Sequence, residues 1–344
     1  MAENQTMVEV EDLVKVYPGG NTAVAGIDFT VGKREFFGFL GPNGAGKTTT
    51  MKILSTLLRK TSGRAIVAGF DVDKQSKAVR KNIGFAMQEV GLDDLATGKD
   101  FLVLQGVLYG LSGRAARLRA GEMLELIGLS SVAKQKVGAY SGGMRRRIDL
   151  AAALMHSPPL LFLDEPTVGL DPQSRLAIWE HLTQINKHGV TIFLTTQMME
   201  EADRLCQRIA IIDRGQIVAD GSPASLKAEV GGDVVHIALD PAGTEADGDL
   251  ANKAGELVKR FDYVQSVNSA ETGISITVKD GNAAVPDLVL LLHENLIPVV
   301  SLSVASPTLD DVFLKQTGRT IRSEEASGDE AAQMMRPWMG LNKR

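Results

Sequence analysis

GPNGAGKTT sets Gly41, Pro42, Asn43, Gly44, Ala45, Gly46, Lys47, Thr48 and Thr49 in a row, with the spacing G-x-x-x-x-G-K-[ST] of a phosphate loop. Glycines let the backbone close around an anion with its N–H groups turned inward. A helix starting there adds the positive end of its dipole, and the Lys47 ammonium neutralises β- and γ-phosphate charge. Thr48 offers its hydroxyl to Mg²⁺. A merely tight glycine turn is the competing reading, opposed by the strand before the loop and the helix after it.

LLFLDEP (160–166) ends a wholly apolar run on two carboxylates. Burying Asp164 beside Glu165 is unfavourable unless a cation is present. Mg²⁺ resolves the conflict: Asp164 would hold it through its water shell, and Glu165 would polarise an attacking water. The alternative is a pair of solvent-facing turn carboxylates.

YSGGMRRRIDLAAALMH (140–156) offers a second anion site, with Ser141 as N-cap and Gly142 and Gly143 baring backbone amides. Its first helical turn carries arginines where the dipole prefers acids. Ser-Gly-Gly before a helix is equally a plain cap, but its place twenty-odd residues before LLFLDEP strengthens the anion reading. Arg145, Arg146 and Arg147 read as a solvated or interface helix face, not a nucleic-acid site. In VTIFLTTQMMEEAD (190–203) a β-branched strand runs into a helix, with Thr196 as its cap and Glu200, Glu201 and Asp203 near the positive end of its dipole. Gln197 is not a preferred cap. At a sheet edge shared with Glu165, its amide is able to donate to γ-phosphate and accept from a backbone N–H or the attacking water.

The elements that must carry these groups follow from periodicity. Residues 7–40 read as strands with turns at 18–20 and 31–33, and a helix from Gly46 places Met51, Leu54 and Leu58 on one face. Helical patterns fill about 92–157. Strand 160–164, a helix near 173–187, strand 190–194 and the hairpin RIAIIDRGQIVADG complete a first domain over residues 1–225. Residues 226–318 run βαββαβ, a small α+β domain of ferredoxin-like order, with TLDDVFLKQTG helical at its end. Residues 319–344, rich in Glu, Ser, Gly and Met, read as a disordered tail.

With 344 residues, two domains are expected. The chain is 44% hydrophobic and 23% charged, and 37 basic against 42 acidic residues give −5, so no global basic field argues for nucleic acid. The single cysteine, Cys206, excludes an internal disulfide or a multi-cysteine zinc site and reads as a small buried helix residue. His156, His181, His188, His236 and His293 lack metal-ligand spacing. The start lacks a signal-peptide profile, and even the apolar stretch 285–300 is interrupted by Asp287, His293, Glu294 and two prolines, so no membrane span is expected.

Taken together, GPNGAGKT, YSGGM, LLFLDEP and GLDP resemble the ATP-binding cassette (ABC) ATPases over residues 7–225. The resemblance implies an α/β P-loop NTPase fold, with a RecA-like core, an antiparallel β subdomain and a helical subdomain. It further implies ATP and Mg²⁺ as ligands. It implies that Tyr17 stacks on adenine, that Gln88 couples Mg²⁺ and γ-phosphate to the helical subdomain, and that Asp171 crosses a dimer interface. In the family each ATP lies between one copy's phosphate loop and the other copy's signature loop, so one phosphate loop per chain implies a second copy.

YSGGMRRRIDLA, DEPTVGLDP, TTQMMEEAD and PTLDDVFLKQTG resemble more narrowly the ATP-binding subunits of daunorubicin-resistance-type exporters. There the ABC-2 permease is a separate chain, the cargo is a hydrophobic or amphipathic compound, and the ATPase is cytoplasmic, peripheral on the inner face of the membrane. Three departures stand out: YSGGM replaces the common LSGGQ, Arg34 stands where glycine is common, and Gln197 replaces a histidine. A soluble cassette of translation or repair and a nucleotide-gated regulatory module remain alternatives.

Overall fold

The computed structural model describes residues 6–87, 91–239, 249–270 and 273–318. Its chain forms two compact units, the first ending at Pro223 and the second spanning Ala224–Gly318.

In the first unit, β1 (Thr6–Val16) and β2 (Thr22–Gly32) form a long antiparallel pair, followed by β3 (Phe36–Leu40) and α1 (Lys47–Leu54). Next come β4 (Ser62–Val67), β5 (Phe70–Asp71), α2 (Ser76–Lys81) and β6 (Ile83–Ala86). Three helices follow without a strand between them: α3 (Gly98–Leu108), α4 (Gly113–Leu126) and α5 (Gly142–Ala153). The unit continues with β7 (Leu160–Asp164), α6 (Pro172–Lys187), β8 (Thr191–Thr196), α7 (Met199–Leu205), β9 (Arg208–Asp213) and β10 (Gln216–Gly221). The strands β2-β1-β4-β5 make one sheet, and β10-β9-β3-β8-β7-β6 make the other.

The second sheet positions the motifs. Strands β6, β7, β8, β3 and β9 are mutually parallel, and every residue of β3, β7 and β8 is buried. That is why FFGFL, LLFL and the IFL of β8 are apolar without alternation. Five phenylalanines lock the sheet to the β1–β2 layer. The Phe193 ring lies 5.3 Å from those of Phe37 and Phe162, 5.7 Å from Phe39 and 6.0 Å from Phe29. Register pairs Leu40 with Thr196 and Asp164 with Thr195. The phosphate loop, Gln197 and Glu165 therefore leave three neighbouring strands at the same level of one edge, where open α/β sheets hold ligands.

The second unit opens with α8 (Pro223–Val230), followed by β11 (Asp233–Leu239), α9 (Asp249–Val258), β12 (Val264–Ala270), β13 (Gly273–Val278), α10 (Gly281–Glu294) and β14 (Val299–Ala305). Its antiparallel sheet has the order β12-β13-β11-β14. That is the ferredoxin-like arrangement in which the last strand lies beside the first. Val235, Ile237, Ile274 and Ile276 form its core with Leu288 and Leu292. The closing helix α11 (Leu309–Thr317) starts on a capping box between Thr308 and Asp311 and stops at left-handed Gly318.

Several local expectations are corrected. Helix α1 ends at Leu54, and Thr56 is left-handed (φ 66°), so Leu58 lies beyond the helix. Helix α7 begins at Met199 with Met198 as N-cap. Thr196 is not its cap: the Thr196 hydroxyl accepts from the Met198 amide at 2.9 Å, forming a turn between strand and helix. Cys206 is buried at the C-terminal boundary of α7. Gln88 and the tail 319–344 lie outside the described residues.

Phe193 meets four other rings, so Phe193→Ala removes the centre of the aromatic layer. The expected loss is about 3–5 kcal/mol, measured as a lower midpoint in chemical denaturation of the purified protein.

Candidate active site

The loop between β3 and α1 needs glycine at three places, one of them Gly44 for its φ of 80°. A Cβ on Gly41 would lie 2.2 Å from the Ile212 carbonyl, and one on Gly46 (φ 110°) would lie 2.4 Å from the Ala23 carbonyl. Helices α3, α4, α5 and α6 are capped by the side chains of Thr97, Ser112, Ser141 and Asp171. Helix α1 has no side-chain cap and no acid in its first turn. Its amide end is left for an anion from outside the chain.

A cavity of about 330 Å³ opens at this end, lined by Asn43, Gly44, Gly46, Lys47, Thr48 and Thr49 from the loop, with Glu165 and Gln197 opposite. Lys47 is only 4% exposed. Its ammonium donates to the carbonyls of Gly41 (2.8 Å) and Pro42 (2.9 Å) and lies 3.4 Å from Glu165 Oε1. Burial pulls the Lys47 pKa below its ordinary value, opposed by Glu165 and then Asp164.

Asp164 Oδ1 accepts from Thr195 Oγ1 at 2.5 Å and from Thr48 Oγ1 at 3.2 Å. Thr48 and Asp164 thus bring two hard oxygen donors together beside the phosphate loop. Mg²⁺ characteristically takes one or two protein oxygens and fills its remaining positions with phosphate and water, so these residues fit it. Among the described residues no cluster of three or more His, Cys, Asp or Glu competes as a metal site.

Glu165 is 7% exposed and left-handed at φ 46°, a conformation that a non-glycine residue holds only when its surroundings impose it. Gln197 is half-buried, and its Oε1 is buried without a hydrogen-bond partner. A polar atom left so beside the phosphate loop is an acceptor directed at something the chain does not supply.

The remaining predicted residues lie off this cavity. Tyr17, half-buried in the turn after β1, brings its hydroxyl to 3.4 Å from Thr49 Oγ1. Ser141 accepts from the Met144 amide at 3.3 Å, and Asp171 accepts from the Ser174 amide at 2.9 Å. A Cβ on Gly143 would lie 2.5 Å from Ser174 Oγ, and one on Gly142 would lie 3.7 Å from Leu170. The starts of α5 and α6 are therefore neighbours, and exposed Ser141, Gly142 and Asp171 form a second patch apart from the cavity.

Three groups near the site were unread or misread in the sequence. Thr195, just past the expected strand 190–194, was given no role, yet its pairing with Asp164 makes it that carboxylate's closest donor. Glu201 is 1% exposed and accepts from Thr167 Oγ1 (2.7 Å) and Trp179 Nε1 (3.0 Å). Burial raises the Glu201 pKa, opposed by hydrogen bonds from Thr196, Thr167 and Trp179. Arg146 overturns the reading of a solvated arginine face: it is 4% exposed and hydrogen-bonded to the backbone. It lies in the second turn of α5, and no local signal in the sequence set it apart from its two arginine neighbours.

Comparison with known proteins agrees with this geometry. Residues 24–168 match the ABC transporter family, and residues 221–317 match the ATP-binding protein DrrA1-3-like, C-terminal domain family. The chain is 42% identical over 326 residues to daunorubicin resistance ATP-binding protein DrrA2 of Streptomyces coeruleorubidus, covering 94% of this chain and 98% of that protein. It is 40% identical over 316 residues to linearmycin resistance ATP-binding protein LnrL of Bacillus subtilis (strain 168), covering 92% of this chain and 100% of that protein. Among solved structures, a post-hydrolysis dimer of the ATP-binding cassette MJ0796 bound to ADP and Pi is similar at TM-score 0.57 and 27% identity. The match covers 63% of this chain and 98% of that one. Phosphate loop, paired carboxylates and matched families lead to one conclusion: the chain belongs to the ABC transporter ATP-binding proteins, carries a DrrA1-3-like C-terminal domain, and is an ATPase.

Proposed function

We propose that the protein is the ATP-hydrolysing subunit of an ABC-2-type exporter and powers efflux of a hydrophobic or amphipathic compound through a separate permease. The observation that carries the hydrolytic part is the meeting of Lys47, Glu165 and Gln197 around one cavity at the uncapped end of α1. The export part is supported by full-length likeness to resistance proteins. Among the described residues no helix is long and apolar enough to cross a membrane, which accords with a permease on another chain and a peripheral place on the inner membrane face.

In this reading the loop amides and Lys47 bind the β- and γ-phosphates, and Tyr17 stacks on adenine. Thr48 and Asp164 would hold Mg²⁺, with Gln88 assigned to it by the family resemblance alone, and the ion would supply charge neutralisation across the phosphates. Lys47 is shared between the Gly41 and Pro42 carbonyls and Glu165. A phosphate oxygen competes for the same ammonium, so substrate binding loosens the Lys47–Glu165 pair and frees the carboxylate to orient water. Gln197 donates from its amide nitrogen to γ-phosphate, and its unpartnered Oε1 accepts from the attacking water. Ser141, Gly142, Gly143 and Asp171 serve the ATP of a second copy, across a sandwich dimer.

Glu165→Gln is expected to bind ATP normally and to lose at least about a hundredfold in phosphate release, the scale of a lost general base; unchanged turnover sinks that assignment. Gln197→Ala forfeits a hydrogen bond to a charged group worth about 1.5–3 kcal/mol, which slows hydrolysis roughly ten- to a hundredfold, read in the same assay. Co-expressed with its permease, the protein should sediment with membranes and leave them when the permease is deleted. Recovery in the soluble fraction in both cases would refute the transporter reading.

A further inference from the structure

The three consecutive arginines at the start of α5 have different surroundings. Half-buried Arg145 pairs with Asp94 at 2.6 Å, and half-buried Arg147 donates to the Ile127 carbonyl at 2.9 Å. Arg146 is buried, and its guanidinium reaches three separate segments. Its Nε donates to the Pro166 carbonyl (2.8 Å) and its Nη2 to the Asp164 carbonyl (3.2 Å). Its Nη1 donates to the Met87 carbonyl and, at 3.2 Å, to Asp149 Oδ2.

The first two carbonyls flank Glu165, the residue with the left-handed backbone. On its other side the Glu165 amide donates to the Thr195 carbonyl at 3.0 Å. A strained residue persists only where its neighbours over-determine it, and here Arg146 and the β8 backbone both hold it. The third carbonyl immediately precedes Gln88. A planar fork with five donors suits such a divided task, whereas an ammonium is a point charge on a flexible stem. Because α5 starts at Ser141, one rigid helix joins that exposed serine to the backbone around Glu165.

We propose that Arg146 is a positioning residue for ATP hydrolysis, holding the carbonyls on both sides of Glu165 and thereby tying the direction of its carboxylate to the helix that begins at Ser141. The proposal rests on Glu165 as the group that polarises the attacking water.

The test compares full-length Arg146→Lys, Asp149→Asn, Glu165→Gln and the double variant Arg146→Lys/Glu165→Gln. Steady-state hydrolysis, equilibrium ATP binding and thermal midpoint are measured for each. Arg146→Lys keeps the buried positive charge facing Asp149 but lacks the fork. Its kcat should fall about ten- to a hundredfold, the scale of a misplaced catalytic group, while ATP affinity stays within about threefold. Asp149→Asn disturbs the same fork from behind and should lower kcat by about threefold without weakening ATP binding. The double variant should be no slower than Glu165→Gln alone, because both changes remove one function.

Parental kcat in Arg146→Lys overturns the proposal. So does a joint fall of kcat, ATP affinity and thermal midpoint in both Arg146→Lys and Asp149→Asn, the mark of general loosening. If Glu165→Gln hydrolyses ATP at the parental rate, the reading of Glu165 is what fails, and the proposal falls with it.

Discussion

Lys47, Asp164 and Glu165 are all more than nine-tenths buried at the edge of a sheet whose central strands are mostly Phe, Leu and Ile. An ion in such surroundings is penalised by several kcal/mol unless partners meet it, and the rest of the cassette follows from supplying them. The ammonium lies 3.4 Å from one carboxylate, and the other carboxylate takes two threonine hydroxyls. Those contacts exist only if β3, β8 and β7 are adjacent, parallel and level, which the apolar sheet and its phenylalanine layer enforce. Two carboxylates against one ammonium leave negative charge in excess, and a divalent cation on hard oxygen donors is the chemistry that balances it.

Behind that edge a second polar network keeps the helices in place. Glu201 is anchored by Thr167, which lies two residues after Glu165, and by the Trp179 indole on α6. One buried carboxyl thereby joins the segment after β7, the helix after it and the helix after β8. The acid-rich start of α7 was read as a complement to its dipole, and exposed Glu200 keeps that sense. Glu201 does not: it faces inward and trades hydration for the Thr167 hydroxyl and the Trp179 indole, a rigid arrangement because leaving either of them unpaired is unfavourable.

Much of this was legible in the sequence, for identifiable reasons. The phosphate loop and LLFLDEP each carry a local conflict, glycines in a row or carboxylates ending an apolar run, that only a ligand resolves. The βαββαβ order beyond residue 225 showed in the alternation of apolar residues, and its sheet has the ferredoxin-like strand order. What stayed hidden depends on partners distant in the chain. Arg146 and Pro166 are twenty residues apart, and nothing local distinguishes Arg146 from Arg145 or Arg147. Thr195 became important only through strand register. Thr196 was misread because a hydroxyl serves a two-residue turn as readily as a helix start.

Gln197 draws its meaning from the charge balance around it. A histidine in that position would add a second titratable cation within the cavity that holds Lys47, and once protonated it would compete with Lys47 for the Glu165 carboxylate. A glutamine keeps the donor and the acceptor and carries no charge at any pH. Lys47 is then the one cationic side chain lining the cavity among the described residues, so the contest between Glu165 and phosphate for a single ammonium decides when the carboxylate is free. The unpartnered Oε1 of Gln197 is consistent with that economy, because an acceptor held ready costs the empty chain one hydrogen bond and becomes useful only when water and γ-phosphate arrive together.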